Sequence, residues 1–167
     1  VITHQTKPRE RRAILEGLRW LGVEWNEGPD KDGPHGPYRQ SERAGMHAEV
    51  AERLLAEGHA YRCFCTPEEL SELRAAQAAR KETPRYDGRY RDLERAESDR
   101  RAAAGAPFAL RFRVPEGETT IPDLVRGDVR CDHAEVDDWV MVRTSGAPTY
   151  NFVVVCDDIA MRISDVF

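Results

Sequence analysis

Apolar positions along this chain follow two periods, and the change from one to the other divides the sequence. From Pro8 onward, Ile14, Leu15, Leu18 and Leu21 fall on one face at helical spacing, and Gly22 ends the pattern. The stretch Asn26 to Pro37 is crowded with Pro and Gly and reads as a loop. A second amphipathic helix is predicted over Gly45 to Glu57, with Val50, Leu54 and Leu55 turned inward and Gly58 as its stop. Ala60 to Cys65 reads as a short strand. Thr66-Pro67-Glu68-Glu69 is a helix start: Thr66 as N-cap, Pro67 in the first turn, and Glu69 closing a capping box, with the helix running to about Arg80. Thr83 to Arg91 is a loop turning at Tyr86-Asp87-Gly88, and Glu94 to Ala104 is a charged helix. After that the period becomes two. Phe108, Leu110 and Phe112 alternate with Ala109, Arg111 and Arg113, the sign of a half-buried strand. Short strands are expected around Thr119 to Ile121, Asp128 to Cys131 and Trp139 to Val142, with a turn at Ser145-Gly146. Tyr150 to Cys156 is apolar and short, so its period does not separate helix from strand. Helices, then strands, then an apolar return predict an α/β chain carrying an inserted α+β region.

Charged residues make up 33% of the 167 residues and apolar ones 40%, a globular composition. No apolar run approaches the roughly 20 residues of a membrane span. Val1 to Arg12 is polar and basic, unlike a signal peptide, and the expected compartment is the cytoplasm. The net charge of -5 argues against a free-standing nucleic-acid binder. Its distribution softens that reading, because Arg85, Arg89, Arg91, Arg95, Arg100 and Arg101 crowd one stretch and Arg111 and Arg113 follow. A solvated face of ion pairs is the competing account of the same residues. Cys63, Cys65, Cys131 and Cys156 do not form a secreted disulfide framework and are expected to be reduced thiols.

Several strings then stand in order. They include Gly17-Leu18-Arg19-Trp20-Leu21-Gly22, Gly33-Pro34-His35-Gly36-Pro37-Tyr38-Arg39-Gln40-Ser41-Glu42-Arg43, and Arg85-Tyr86-Asp87-Gly88-Arg89. Leu124-Val125-Arg126-Gly127, Pro148-Thr149-Tyr150-Asn151-Phe152 and Val155-Cys156-Asp157-Asp158 follow. In this order and spacing the chain resembles the glutamyl-tRNA synthetases, over nearly its whole length. The resemblance implies a class I, Rossmann-like catalytic domain with an α+β module inserted between its halves. The boundaries it suggests are 1–60 for part of the first half, 61–145 for the inserted acceptor-binding module and 146–167 for the start of the second half. It implies activation of glutamate with ATP and Mg2+, then transfer to the 3′ end of tRNA(Glu), without a protein nucleophile. A noncatalytic module binding RNA or a partner protein is the alternative.

The family's His-x-Gly-His string and Lys-rich loop, which grip ATP, do not occur here. They are expected before Val1 and after Phe167, so this span alone is expected to be inactive, with no catalytic residue of its own. The family's acidic stretch that holds the substrate amine aligns just before Val1 or over Val1 to Thr6, where the carboxylates are absent. By resemblance Tyr150, Asn151 and Val154 belong to the glutamate pocket, and Asp157-Asp158 serve either as a partner for the substrate amine or as a cap. Arg39, Arg43, Arg85, Arg89 and Arg91 are the expected tRNA contacts. Some members hold structural zinc through a Cys-x-Cys pair and two later ligands. Here the later positions read Tyr90, Arg91 and Asp92, an incomplete set for a four-ligand site, and no metal is expected at Cys63 and Cys65. Oligomeric state is not encoded in any of these features.

Overall fold

In the computed structural model, residues 8–166 are described. Val1 to Thr6, where the acidic stretch would align, and the beginning of the polar Val1 to Arg12 segment lie outside the described residues. The order of elements is α1 (Pro8–Trp20), α2 (Ala44–Glu57), β1 (Ala60–Cys63), α3 (Pro67–Ala79), α4 (Arg95–Ala103), β2 (Ala109–Phe112), β3 (Glu118–Asp123), β4 (Gly127–Asp132), β5 (Val140–Val142) and α5 (Tyr150–Met161). Two compact units contain them. One comprises 1–50 with 150–167, the other 51–149, and the division falls inside α2.

The 51–149 unit holds all the named strands. β1, β2 and β5 form an antiparallel sheet in the order β1-β2-β5, and β3 pairs with β4 as a separate hairpin. Ala60, Tyr61, Cys63, Leu110 and Met141 are buried there, Met141 completely. Phe112 stacks on Trp139, and Phe64 meets Tyr90 and Phe108 edge-on, so aromatic contacts extend the core beyond the short strands. α3 begins as its sequence requires. The Glu69 N–H donates to Thr66 Oγ1 and the Thr66 N–H to the Glu69 carboxylate, with Pro67 in the first turn. Gln77 of α3 is buried and trades two hydrogen bonds with the backbone of Arg85, which pins the following loop to the helix.

Period-2 alternation in β2 fails at one point. Leu110 is buried as its pattern predicts, but Arg111, on the opposite face, is equally buried. Its guanidinium lies 3.8 Å from the Tyr86 ring centre and donates to the Asp138 carbonyl at 2.5 Å, so the second face of β2 is covered as well. The β3–β4 hairpin does the reverse. Its turn leaves Leu124 and Val125 almost fully exposed, and the Asp123 carboxylate accepts the N–H groups of Val125 and Arg126.

The unit 1–50 with 150–167 contributes helices. Tyr150 to Cys156 proves helical, and Phe152, Val153, Cys156 and Asp157 make the buried face of α5. The loop before α2 is gathered around Glu27, whose carboxylate accepts from the Tyr38 hydroxyl and the His35 N–H and meets His35 Nδ1 at 2.7 Å. A Cβ at Gly33 would collide with Glu27 and Tyr38, so this loop needs glycine there.

Candidate active-site and RNA-contact residues

Tyr150 opens α5, and Asn151 and Val154 follow within its first turns. At spacings of three and four residues these side chains share one side of a helix. Tyr150 is 60% exposed and Asn151 is exposed, while Val154 is half-buried. The first turn of α5 carries no acidic residue, so its free N–H groups and the positive end of the helix dipole favour an anionic group nearby.

Asp157 lies two turns further on and is 1% exposed. His47 Nε2 meets its Oδ1 at 2.8 Å and Arg43 Nη1 lies 3.6 Å away. Arg43 also donates through Nε to the Pro37 carbonyl and through Nη2 to the His35 carbonyl, each at 2.6 Å. Arg43, expected as a tRNA contact, is therefore buried, and its donors are spent on the protein: it ties α2, the Glu27 loop and α5 together. Asp157 is neither a cap nor open to a substrate amine. Arg39 is exposed and paired with Glu42 at 3.0 Å.

The arginines of 85–91 separate in the same way. Arg91 grips the Asp138 carboxylate with both oxygens at 2.6 Å and donates to the Val114 carbonyl. Asp138 is buried, and it also accepts from the Tyr61 hydroxyl at 2.8 Å and the Val114 N–H at 2.9 Å. Burial pushes the Asp138 pKa up, but Arg91, the Val114 N–H and the Tyr61 hydroxyl outweigh it, and the net shift is downward. Burial and the Asp138 hydrogen bond hold the Tyr61 hydroxyl well above its ordinary range. Arg91 is thus the centre of a structural ion pair. Arg89 is exposed and held by Asp87, with Glu69 3.6 Å away. Arg85 is exposed and donates to the Ala134 carbonyl at 2.8 Å.

At the Cys-x-Cys pair, Cys63 is buried and donates to the Tyr86 hydroxyl at 3.4 Å; the same hydroxyl accepts the Tyr90 N–H. Burial, then the neighbouring Cys63, push the Cys65 thiol up to about 11. Among the described residues no group of three or more His, Cys, Asp or Glu side chains is placed to hold a metal ion. Asp92 faces Arg113 at 3.1 Å.

Residues 3–167 match the family model described as tRNA synthetases class I (E and Q), catalytic domain. The chain belongs to this family. It is 50% identical to the glutamate–tRNA ligase of Psychrobacter sp. strain PRwf-1 over 98% of its own length and 33% of that protein's. To the glutamate–tRNA ligase of Pseudomonas putida strain W619 it is 53% identical, over 92% of this chain and 31% of the relative. The crystal structure of glutamate-tRNA synthetase from Elizabethkingia anophelis superimposes with a TM-score of 0.81 at 34% identity, over 95% of this chain and 34% of that one. A glutamate tRNA ligase from Elizabethkingia meningosepticum, solved in complex with its amino acid, gives 0.82 at 34% identity, over 95% and 33%. The chain spans about a third of the length of these relatives. Its fold class is that of the class I catalytic domain, Rossmann-like α/β, although the strands described here are antiparallel and lie in the 51–149 unit.

Family motifs drew attention to Tyr150 and to arginines both exposed and buried, but not to His47, Arg111 and Asp138, which organise their surroundings. Asp138, Arg111 and the His47–Asp157 pair carry no local signal, because their partners lie far away in the sequence, Asp157 standing 110 residues from His47. No helix among the described residues is long and apolar enough to cross a membrane.

Proposed function

We propose that the protein containing this chain is a glutamate–tRNA ligase and that this span supplies the middle of its catalytic domain. It activates glutamate with ATP and Mg2+ and passes it to the terminal ribose of tRNA(Glu). The observation that carries the reading is sequence identity near 50% to glutamate–tRNA ligases over almost the entire chain. Tyr150, Asn151 and Val154 form a wall of the glutamate pocket, where the phenol donates to the substrate carboxylate and the α5 N-terminus adds its dipole. The Arg43–His47–Asp157 cluster fixes α5, so that Tyr150 is presented on a rigid element. Arg39, Arg85 and Arg89 contact tRNA phosphates. Their present ion pairs and carbonyl bonds are exposed and cheap to exchange. Arg43 and Arg91 hold the structure instead.

The test is aminoacylation of tRNA(Glu) by the full-length gene product and by its Tyr150→Ala variant. Glutamylation by the parent is expected, with a rise of at least tenfold in the KM for glutamate in the variant and little change in the KM for ATP. A parent that binds tRNA but attaches no glutamate would favour a noncatalytic RNA-binding module.

A further inference from the structure

We infer that the 51–149 unit contains a binding pocket for a single phosphate group, built around Arg111. A cavity of about 180 Å³ opens beside β2, lined by Arg74 of α3, Arg85, Tyr86, Asp137 and Arg111 among others. Arg74 and Arg85 are exposed, whereas Arg111 is only 6% exposed, so the pocket leads from the surface to a buried guanidinium.

That guanidinium is short of partners. An arginine offers five N–H donors. Among the described residues, those of Arg111 make one hydrogen bond, to the Asp138 carbonyl, and its Nε is buried without any. No carboxylate lies within ion-pair distance of it, since the Asp138 carboxylate is committed to Arg91, Tyr61 and Val114. Its charge rests on one carbonyl and the face of Tyr86. A buried cation balanced so weakly is costly unless something anionic completes it.

The other charges of the pocket point the same way. No ion pair involves Arg74 or Arg85 among the described residues, and Arg85 spends one nitrogen on the carbonyls of Ala134 and Val136. Asp137 is the single acidic lining residue, and its carboxylate accepts the Tyr86 N–H at 3.0 Å. Three guanidiniums against one carboxylate leave an excess of positive charge in a chain whose net charge is -5. Guanidiniums suit phosphate oxygens because they present planar, paired donors. The ligand is a phosphate group, either free or carried as an RNA phosphodiester. The inference does not depend on the ligase reading, and its test does not measure aminoacylation.

The test is a calorimetric titration of the full-length gene product with inorganic phosphate, replacing KCl at constant ionic strength. Saturable binding is expected, weakened at least tenfold in Arg74→Glu, which changes an exposed residue and should leave the melting temperature of the unliganded protein unaltered. Arg111→Met should abolish the same binding. Because that variant alters a buried group and can lose its fold, Arg74→Glu carries the decision. Phosphate held elsewhere in the protein is insensitive to Arg74. A trinucleotide without terminal phosphates serves as competitor: displacement assigns the pocket to a phosphodiester, and no displacement assigns it to the free anion. Equal phosphate binding by parent and Arg74→Glu, or no saturable binding at all, overturns the inference.

Discussion

At the scale of single residues, the 51–149 unit depends on Asp138. Its carboxylate is buried beneath Arg91 and Tyr61, and its pKa is lowered despite burial. A depressed folded-state pKa contributes stability that is complete above the ordinary aspartate value, near 3.9, and is lost as pH falls through the lower folded value. Asp138→Asn keeps the shape of the site but leaves Arg91 without its counter-charge. A loss of about 3 kcal/mol at neutral pH is expected, as for other broken buried pairs. The measurement is amide hydrogen exchange of β1 and β2 in parent and variant. The gap in protection should close as pH falls below about 4, and a gap that persists in acid would show that Asp138 acts through packing alone. None of this was legible in the sequence. Arg91 reads there as one member of a basic run beside a family motif, and the aspartate that occupies it lies 47 residues away. Tyr150 was singled out because the motif around it is local.

At the scale of elements, legibility followed the range of the forces involved. Capping is local chemistry, and Thr66 forms the reciprocal pair with Glu69 that its spacing requires. Thr66→Ala should cost about 1 kcal/mol, read as faster exchange of the first-turn amides of α3 with β1 unaffected. An equal loss of protection throughout the unit would mean that α3 does not open independently. Tyr150 to Cys156 could not be assigned from pattern, because its run of valines favours a strand while its neighbours favour neither state. Burial decides: positions 152, 153, 156 and 157 are covered, a helical face, and Asp157 is drawn inside by His47 and Arg43. A carboxylate on that face gives a sequence reading no reason to place it inward, which is why only a substrate-amine partner or a cap was read there. β2 misled in a related way. Alternation assigns Arg111 to solvent, but Tyr86 and the Asp138 carbonyl, both brought from other segments, cover it.

At the scale of the whole molecule, a net charge of -5 opposes a polyanion, and any RNA binding must rest on local arginines. The arginines fall into two populations that composition cannot separate. Arg43 and Arg91 are buried or half-buried and committed to the protein, while Arg39, Arg85 and Arg89 remain exposed. Only the second population can release counterions on meeting phosphate. Binding of the full-length gene product to a minimal acceptor hairpin, titrated against salt, distinguishes them. Arg89→Ala should flatten the slope of log affinity against log salt by about 0.7 to 0.9, the loss of one phosphate contact. Arg91→Ala should leave that slope unchanged and instead lower protection from hydrogen exchange in the strands it braces, because its guanidinium faces Asp138 and not solvent. If both variants flatten the slope equally, the Arg91–Asp138 pair opens to admit RNA, and its structural role is secondary. If neither does, Asp87 and Glu69 keep Arg89 from phosphate, and the basic run is a solvated face of ion pairs.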